Sequence, residues 1–229
     1  NYQTAVGHFP TGYRETSTRG WGWGAYLLPY LEEAPLYALL NVDGGDATFP
    51  ANPSDATKTR LPVFRCPSDV GADLNPHRGG HATANYAGVY GAHPNSLDTT
   101  PSSPNGVLFY KSQVKVSDIP DGTSNTLLVG ERRYDNGSTN GLKAGAIWAG
   151  ACGTGMATGG NANTVNVIWG PSAALRLNGT NPYSFSSRHP GTVNFALCDG
   201  SVRGLRETVA DQTLNNLAQR NDDNPVGDY

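Results

Sequence analysis

The sequence is poor in charge, in cysteine and in long apolar runs, and each shortage excludes something. Only 15% of the 229 residues are charged, and acidic and basic side chains nearly cancel at a net charge of −3. A surface that follows a nucleic-acid backbone or an anionic lipid carries a basic excess, so no nucleic-acid partner is expected. Long-helix and coiled-coil proteins draw about half of their residues from Ala, Glu, Lys, Leu and Arg, and this chain does not. Lysine is scarce, with four against twelve arginines. Arginine forms planar bidentate pairs with carboxylates, so several of the twelve are expected in structural ion pairs.

The three cysteines are Cys66, Cys152 and Cys198. None sits in a CxxC pair and no histidine stands at zinc-ligand spacing from them along the chain, which argues against a structural zinc site. An odd count allows one intramolecular disulfide and leaves one free thiol, and spacing does not say which pair would form. The longest helical apolar stretch, Ala25 to Leu40, is interrupted by Pro29, Glu32, Glu33 and Pro35. A membrane span needs about 20 mostly apolar residues. The chain opens on Asn1-Tyr2-Gln3 without an initiator Met or a signal-type stretch, so we expect that an N-terminal segment has been removed.

What the chain does contain is turn chemistry. Gly 29 and Pro 16 make up about a fifth of it, and 37% of residues are hydrophobic. At 24.2 kDa this is enough for a sizeable core with many loops. Residues 1–24 read as an extended entry. Residues 25–40 predict one or two short helices split by Pro29 and Pro35. Strands are expected at 63–66, 85–90, 106–110, 126–133, 146–149 and 165–169. The run Val193 to Cys198 alternates large and small residues, Asp199-Gly200 follows, and Ser201 to Leu205 alternates again. This predicts a hairpin with a type I′ turn. Thr208 to Gln219 predicts a closing helix with Asp211 as N-cap. With no repeat and no low-complexity linker, residues 1–229 read as one α+β domain. It comprises an antiparallel β-sheet, few short helices and long loops, with a hairpin-plus-helix subregion at about 184–221.

Four segments carry a resemblance. Ser187-Arg188-His189-Pro190-Gly191 is followed, nine residues after His189, by Asp199-Gly200 and then Ser201-Val202-Arg203. The others are Trp23 to Tyr37, Phe64-Arg65-Cys66-Pro67-Ser68-Asp69, and Asp118 to Thr126 running on to Gly130-Glu131-Arg132. In this order they resemble the DUF1559 family, best known from planctomycetes, whose C-terminal signature is H-X9-DG. The resemblance covers the chain from near residue 9 to near residue 221. It implies a type IV prepilin-like leader and a long apolar helix ahead of Asn1-Tyr2, with Gly7-His8-Phe9-Pro10 following the helix end. On that basis the chain is expected to be the non-enzymatic, extracytoplasmic head of a pseudopilin-like surface protein. Its full-length precursor would be membrane-anchored, at the cell surface or in the periplasm. It would serve as a structural or assembly subunit of a filament or a secretion-type (type II) apparatus, self-associating or pairing with other pilin-like subunits through the absent helix. The alternative is a solute- or glycan-binding module at the cell surface. An exported protein also makes a disulfide plausible among Cys66, Cys152 and Cys198.

Each candidate site has a plainer structural reading. His189 and Asp199 invite a catalytic or metal pairing, but nine residues of straight strand would hold them about 30 Å apart. His189 then reads as a buried hydrogen-bonded group, and Asp199 with Gly200 as turn residues. Glu131, ending an apolar strand, needs a partner, which Arg132 or Arg188 could supply. A general-acid role would need a second carboxylate or a nucleophile nearby, and the sequence identifies none. Asp118, Asp121, Ser124 and Asn125 make an oxygen-rich turn. It could hold Ca²⁺, although turn hydrogen bonding explains it without a metal and no other cofactor is expected. Trp21, Trp23, Trp148 and Trp169 could form a glycan platform, or pack in a core or interface. No Gly-x-Ser-x-Gly elbow, phosphate loop or dinucleotide fingerprint is present, so no enzyme is expected.

Overall fold

Short elements joined by long connections make up the chain, as its proline and glycine content requires. The computed structural model describes residues 1–14, 19–44, 49–50, 53–92, 104–135, 145–152, 167–168, 175–181, 184–224 and 226. Helix α1 spans Tyr2–Val6, strand β1 Arg19–Trp21, helix α2 Trp23–Leu27 and helix α3 Ala34–Leu40. Strands β2 (Leu74–Asn75), β3 (His81–Ala84), β4 (Tyr86–Val89) and β5 (Leu127–Glu131) come next. Then follow β6 (Ala146–Ile147), β7 (Gly150–Cys152), β8 (Val167–Ile168), β9 (Thr192–Leu197), β10 (Val202–Arg206) and helix α4 (Asp211–Ala218). The architecture is α+β, with few short helices. Among the described residues no helix is long and apolar enough to cross a membrane.

The central sheet has the order β10-β9-β5-β4-β8, antiparallel except for the β4–β8 pair. Two small antiparallel sheets, β2-β3-β6 and β1-β7, stand beside it. Alternation along β9 sorts the faces of the central sheet. Val193, Phe195 and Leu197 are buried, and they cluster with Leu214 and Leu217 of α4 and with Phe185. Asn194 and Ala196 point to the opposite face and are half-buried. A larger core, holding Trp21, Trp23, Phe64 and Trp148, gathers around α2, α3 and the small sheets. Leu128 and Val129 of β5 and Tyr86 of β4 pack against it.

The C-terminal hairpin forms where the alternation and the Asp-Gly pair predict it, but its turn differs. Gly200 lies in the left-handed region at φ 86°, whereas Asp199 does not. Gly200 N–H donates to Leu197 O at 3.0 Å, and Leu197 N–H donates to Ser201 O at 2.9 Å. This is a three-residue loop, a tight turn with a glycine bulge, instead of a type I′ turn. Asp199 keeps an ordinary φ because its Oδ1 accepts from Ser201 N–H and Oγ–H at 2.8 and 2.7 Å. Those bonds hold the Asp199 carboxyl below its ordinary pKa. A Cβ on Gly200 would meet nothing within 4 Å, so Gly200→Ala tests the backbone alone. We expect a loss of about 1–2 kcal/mol, measured by urea unfolding. A neutral result would show that the turn adopts another conformation.

Other expectations are corrected. Helix α4 starts at Asp211, with Ala210 as its N-cap and no capping side chain. Asp211 instead pairs with Arg176 at 3.0 Å. Residues 1–24 are not all extended. Asn1 Oδ1 accepts from Gln3 N–H at 3.1 Å and caps α1, which Gly7 ends at φ 87°. The stretch expected as a strand at 63–66 begins as a 3₁₀ turn, Pro62–Phe64, with Phe64 N–H bonded to Leu61 O. Residues 106–110 form no strand. They cross the end of β4 with two backbone bonds, Gly106 to Tyr90 and Leu108 to Val89, and then bend toward Tyr13. The arginine pairs do form. Arg133 and Arg188 both stand 3.0 Å from Asp135, and Arg60 stands 3.0 Å from Asp73.

Candidate functional site

Antiparallel pairing of β5 with β9 brings the end of one strand beside the start of the other. Gly130 is opposite Phe195, so Glu131, the last residue of β5, lies next to Asn194. Its Oε2 accepts from Asn194 N–H at 2.8 Å. His189 sits three residues before β9, where Pro190 and Gly191 (φ 68°) turn the chain into the strand. Its Nε2 stands 3.3 Å from Glu131 Oε1. Cys66 reaches the same point from the turn after Phe64, and its Sγ lies 3.7 Å from Glu131 Oε1 and 3.9 Å from His189 Nε2. Asn85 ties the parts together. Its Oδ1 accepts from Cys66 N–H at 3.1 Å, its Nδ2 donates to Arg132 O at 3.3 Å, and its carbonyl accepts from Arg132 N–H at 2.7 Å.

Glu131 and Cys66 are buried, and the His189 side chain is 39% exposed. Burial pushes the Cys66 thiol above its ordinary pKa. The Ser68 backbone N–H opposes the rise and the Glu131 charge adds to it. A thiol held protonated is a poor nucleophile. A Cys-His-carboxylate relay uses one ring nitrogen for the thiol and the other for the carboxylate, yet here Nε2 faces both. The trio is therefore not arranged for thiol catalysis. Thiol, carboxylate and imidazole are all metal-ligating types. This is the one group of three such residues within mutual ligand reach among the described residues.

The trio lies in the wall of a cleft of about 720 Å³ on the open face of the central sheet. Trp23, Leu27, Leu31, Val63, Tyr86, Val129, Ala196 and Val202 supply half of its lining residues. A second hollow of about 430 Å³ shares Trp23, Leu27 and Val129 with it and is also lined by Asn1, Tyr2 and Gln3.

The structure redistributes the residues singled out from sequence. His189 is not a buried group, and Glu131 is paired with neither Arg132 nor Arg188. Arg188 donates to Tyr134 O and pairs with Asp135, while Arg132 is buried at 1% exposure. Asp199 and Gly200 stand in the hairpin turn at the other end of β9 and take no part in the trio. The oxygen-rich turn does not converge on a cation. Asp118 Oδ2 accepts from Lys115 N–H, and the two Asp121 oxygens accept from the backbone N–H groups of Asp222 and Asp223. Asn125 Nδ2 donates to Asp121 O, away from any shared centre.

Trp21, Trp23 and Trp148 are 3%, 5% and 1% exposed, so they form core and no glycan platform. Trp169 lies outside the described residues. Cys66 and Cys198 are both free thiols, which overturns a disulfide through either. The side chain of Cys152 lies outside the description. Sequence reasoning did not join Cys66 to His189 because 123 residues separate them. The signal that could have joined Glu131 to His189 was the position of each at facing ends of two neighbouring strands.

No curated protein and no solved structure matches the chain. A family model described as "Protein of unknown function (DUF1559)" matches residues 1–212. With nearly the whole length covered by that match, the chain belongs to the DUF1559 family.

Proposed function

We propose that this chain is the extracytoplasmic head of a pseudopilin-like surface protein and acts as a structural or assembly subunit. The carrying observation is the face of the central sheet away from α4, where two largely apolar hollows share Trp23, Leu27 and Val129. Val129, Ala196 and Val202 of the sheet, with Leu27 and Leu31 beside them, give an apolar lining whose cover by an apolar partner is favourable. The proposed occupant is the apolar helix that family resemblance puts ahead of Asn1. Asn1 and Tyr2 line the second hollow, so a helix ahead of Asn1, about 10–12 Å across, would start beside it.

Electron microscopy of source cells with an antibody against this domain tests the proposal. The expected result is label along filaments. Val202 is 67% exposed within the cleft wall, so Val202→Asp is expected to leave the head folded, by circular dichroism, while depleting filament label. Label scattered singly over the envelope would overturn the assembly reading. The cleft would then be screened with small solutes, because its volume falls within the range of about 300–1,000 Å³ that ligand sites occupy.

A further inference from the structure

The spacings within the trio have an unusual length. At 3.3 Å, His189 Nε2 and Glu131 Oε1 are beyond the usual optimum for N–H···O bonding, and Sγ is 3.7 and 3.9 Å from the same two atoms. They match another pattern. Zinc takes bonds of about 2.3 Å to sulfur, about 2.0–2.1 Å to imidazole nitrogen and about 2.0–2.2 Å to carboxylate oxygen. Tetrahedral placement then sets spans of about 3.5–3.6 Å from sulfur to either partner and about 3.3–3.4 Å from nitrogen to oxygen. The three observed edges depart from these by no more than about 0.4 Å.

We propose that Cys66, Glu131 and His189 bind a borderline-soft divalent cation, Zn²⁺ in the first instance, with a fourth position left open toward the cleft. The donor set excludes Mg²⁺ and Ca²⁺, which take oxygen ligands, and suits a metal that accepts thiolate and imidazole together. Support around the ligands is already in place. Asn194 N–H holds Glu131 Oε2, which leaves Oε1 for the metal, and Ser187 Oγ accepts from the His189 backbone N–H at 3.1 Å, which fixes the main chain that carries the imidazole. The Ser68 backbone N–H points at the Cys66 sulfur. Such outer hydrogen bonds orient ligands before the metal arrives. Binding replaces the thiol proton, which leaves to solvent, with no change in oxidation state. Three protein ligands with one open position is the arrangement of zinc sites that take up water or a substrate atom.

The test uses the reduced full chain and Co²⁺ as an optical probe. One equivalent of Co²⁺ is expected to give a thiolate-to-cobalt charge-transfer band in the near ultraviolet, together with visible bands of four-coordinate cobalt. Stoichiometric Zn²⁺ should remove both. Cys66→Ser should abolish the charge-transfer band, whereas Cys198→Ser should retain it. His189→Gln and Glu131→Gln should weaken binding by more than about 100-fold, beyond the 10–100-fold typical of losing an outer partner. The imidazole is partly exposed, so His189→Gln remains decisive even where Cys66→Ser fails to fold. A wild-type chain without the charge-transfer band, or an unchanged binding curve in folded His189→Gln, would overturn the proposal.

Discussion

Replacing Trp148 with alanine is expected to lower the free energy of unfolding by about 3–5 kcal/mol. The ring is 1% exposed and stacks near-parallel on Phe64, with centroids 6.2 Å apart. Its Nε1–H donates to Thr59 O at 3.0 Å, so the substitution removes a half-buried hydrogen bond together with a large apolar surface. Relaxation into the cavity is restricted by backbone already in close approach. A Cβ on Gly24 would sit 2.4 Å from the Trp148 carbonyl oxygen. Domains are stable by about 5–15 kcal/mol in all, so the variant should lose a large share of its stability. Urea unfolding at 25 °C measures it. A loss below about 1 kcal/mol would place the ring at the surface, where a glycan platform would need it.

The contrast between what the sequence disclosed and what it withheld follows the range of the interactions. The β9–β10 hairpin was legible because alternation and an Asp-Gly pair are local signals. The turn type was not, because Asp199 Oδ1 bonding to Ser201 keeps Asp199 out of the left-handed region and leaves Gly200 alone there. The split helix was legible from Pro29 and Pro35, which sit in the first turns of a 3₁₀ helix, Leu28–Tyr30, and of α3. Trp21, Trp23 and Trp148 were ambiguous because an aromatic with a polar edge suits both a core and a binding face. Burial against Phe49 and Phe64 decides for the core.

The candidate site was visible only in pieces. Cys66, Glu131 and His189 each fell in a segment carrying the family resemblance, yet their meeting depends on strand register. The pairing of Gly130 with Phe195 puts Glu131 beside Asn194 and within reach of His189. Cys66 joins through Asn85, which accepts from its backbone N–H. Ligand spacing along the chain carries none of this. Its expectation against zinc applies to local motifs and leaves untouched a site gathered from residues 65 and 123 positions apart.

Stability should also fall by about 3 kcal/mol between pH 6.5 and pH 4 on account of His81 alone. This residue of β3 is fully buried, with its ring 4.5 Å from that of Phe49. Thr57 Oγ1 donates its proton to Ser54 O at 3.1 Å, so it accepts from His81 Nδ1–H at 2.9 Å. The neutral ring is therefore the Nδ1–H tautomer. Its Nε2 has no partner among the described residues, and protonation would put an unpaired N–H and a full charge into the core. Burial first, and the nearby Lys58 charge second, push the pKa from 6.5 down to about 4. Above pH 6.5 both folded and unfolded chains hold a neutral ring, and the full stability is present. As pH falls from 6.5 toward 4, the unfolded chain takes up a proton that the folded chain refuses, and stability declines. Below pH 4 both are protonated and this contribution stops changing. Urea unfolding at pH 7 and pH 4 should show a drop in the wild type about 3 kcal/mol larger than in His81→Gln, which keeps a donor for Thr57 but does not titrate. Equal drops in the two proteins would mean that the ring is protonated in the fold as readily as out of it. The Nε2 would then have to reach solvent or an acceptor that the packing against Phe49 denies it.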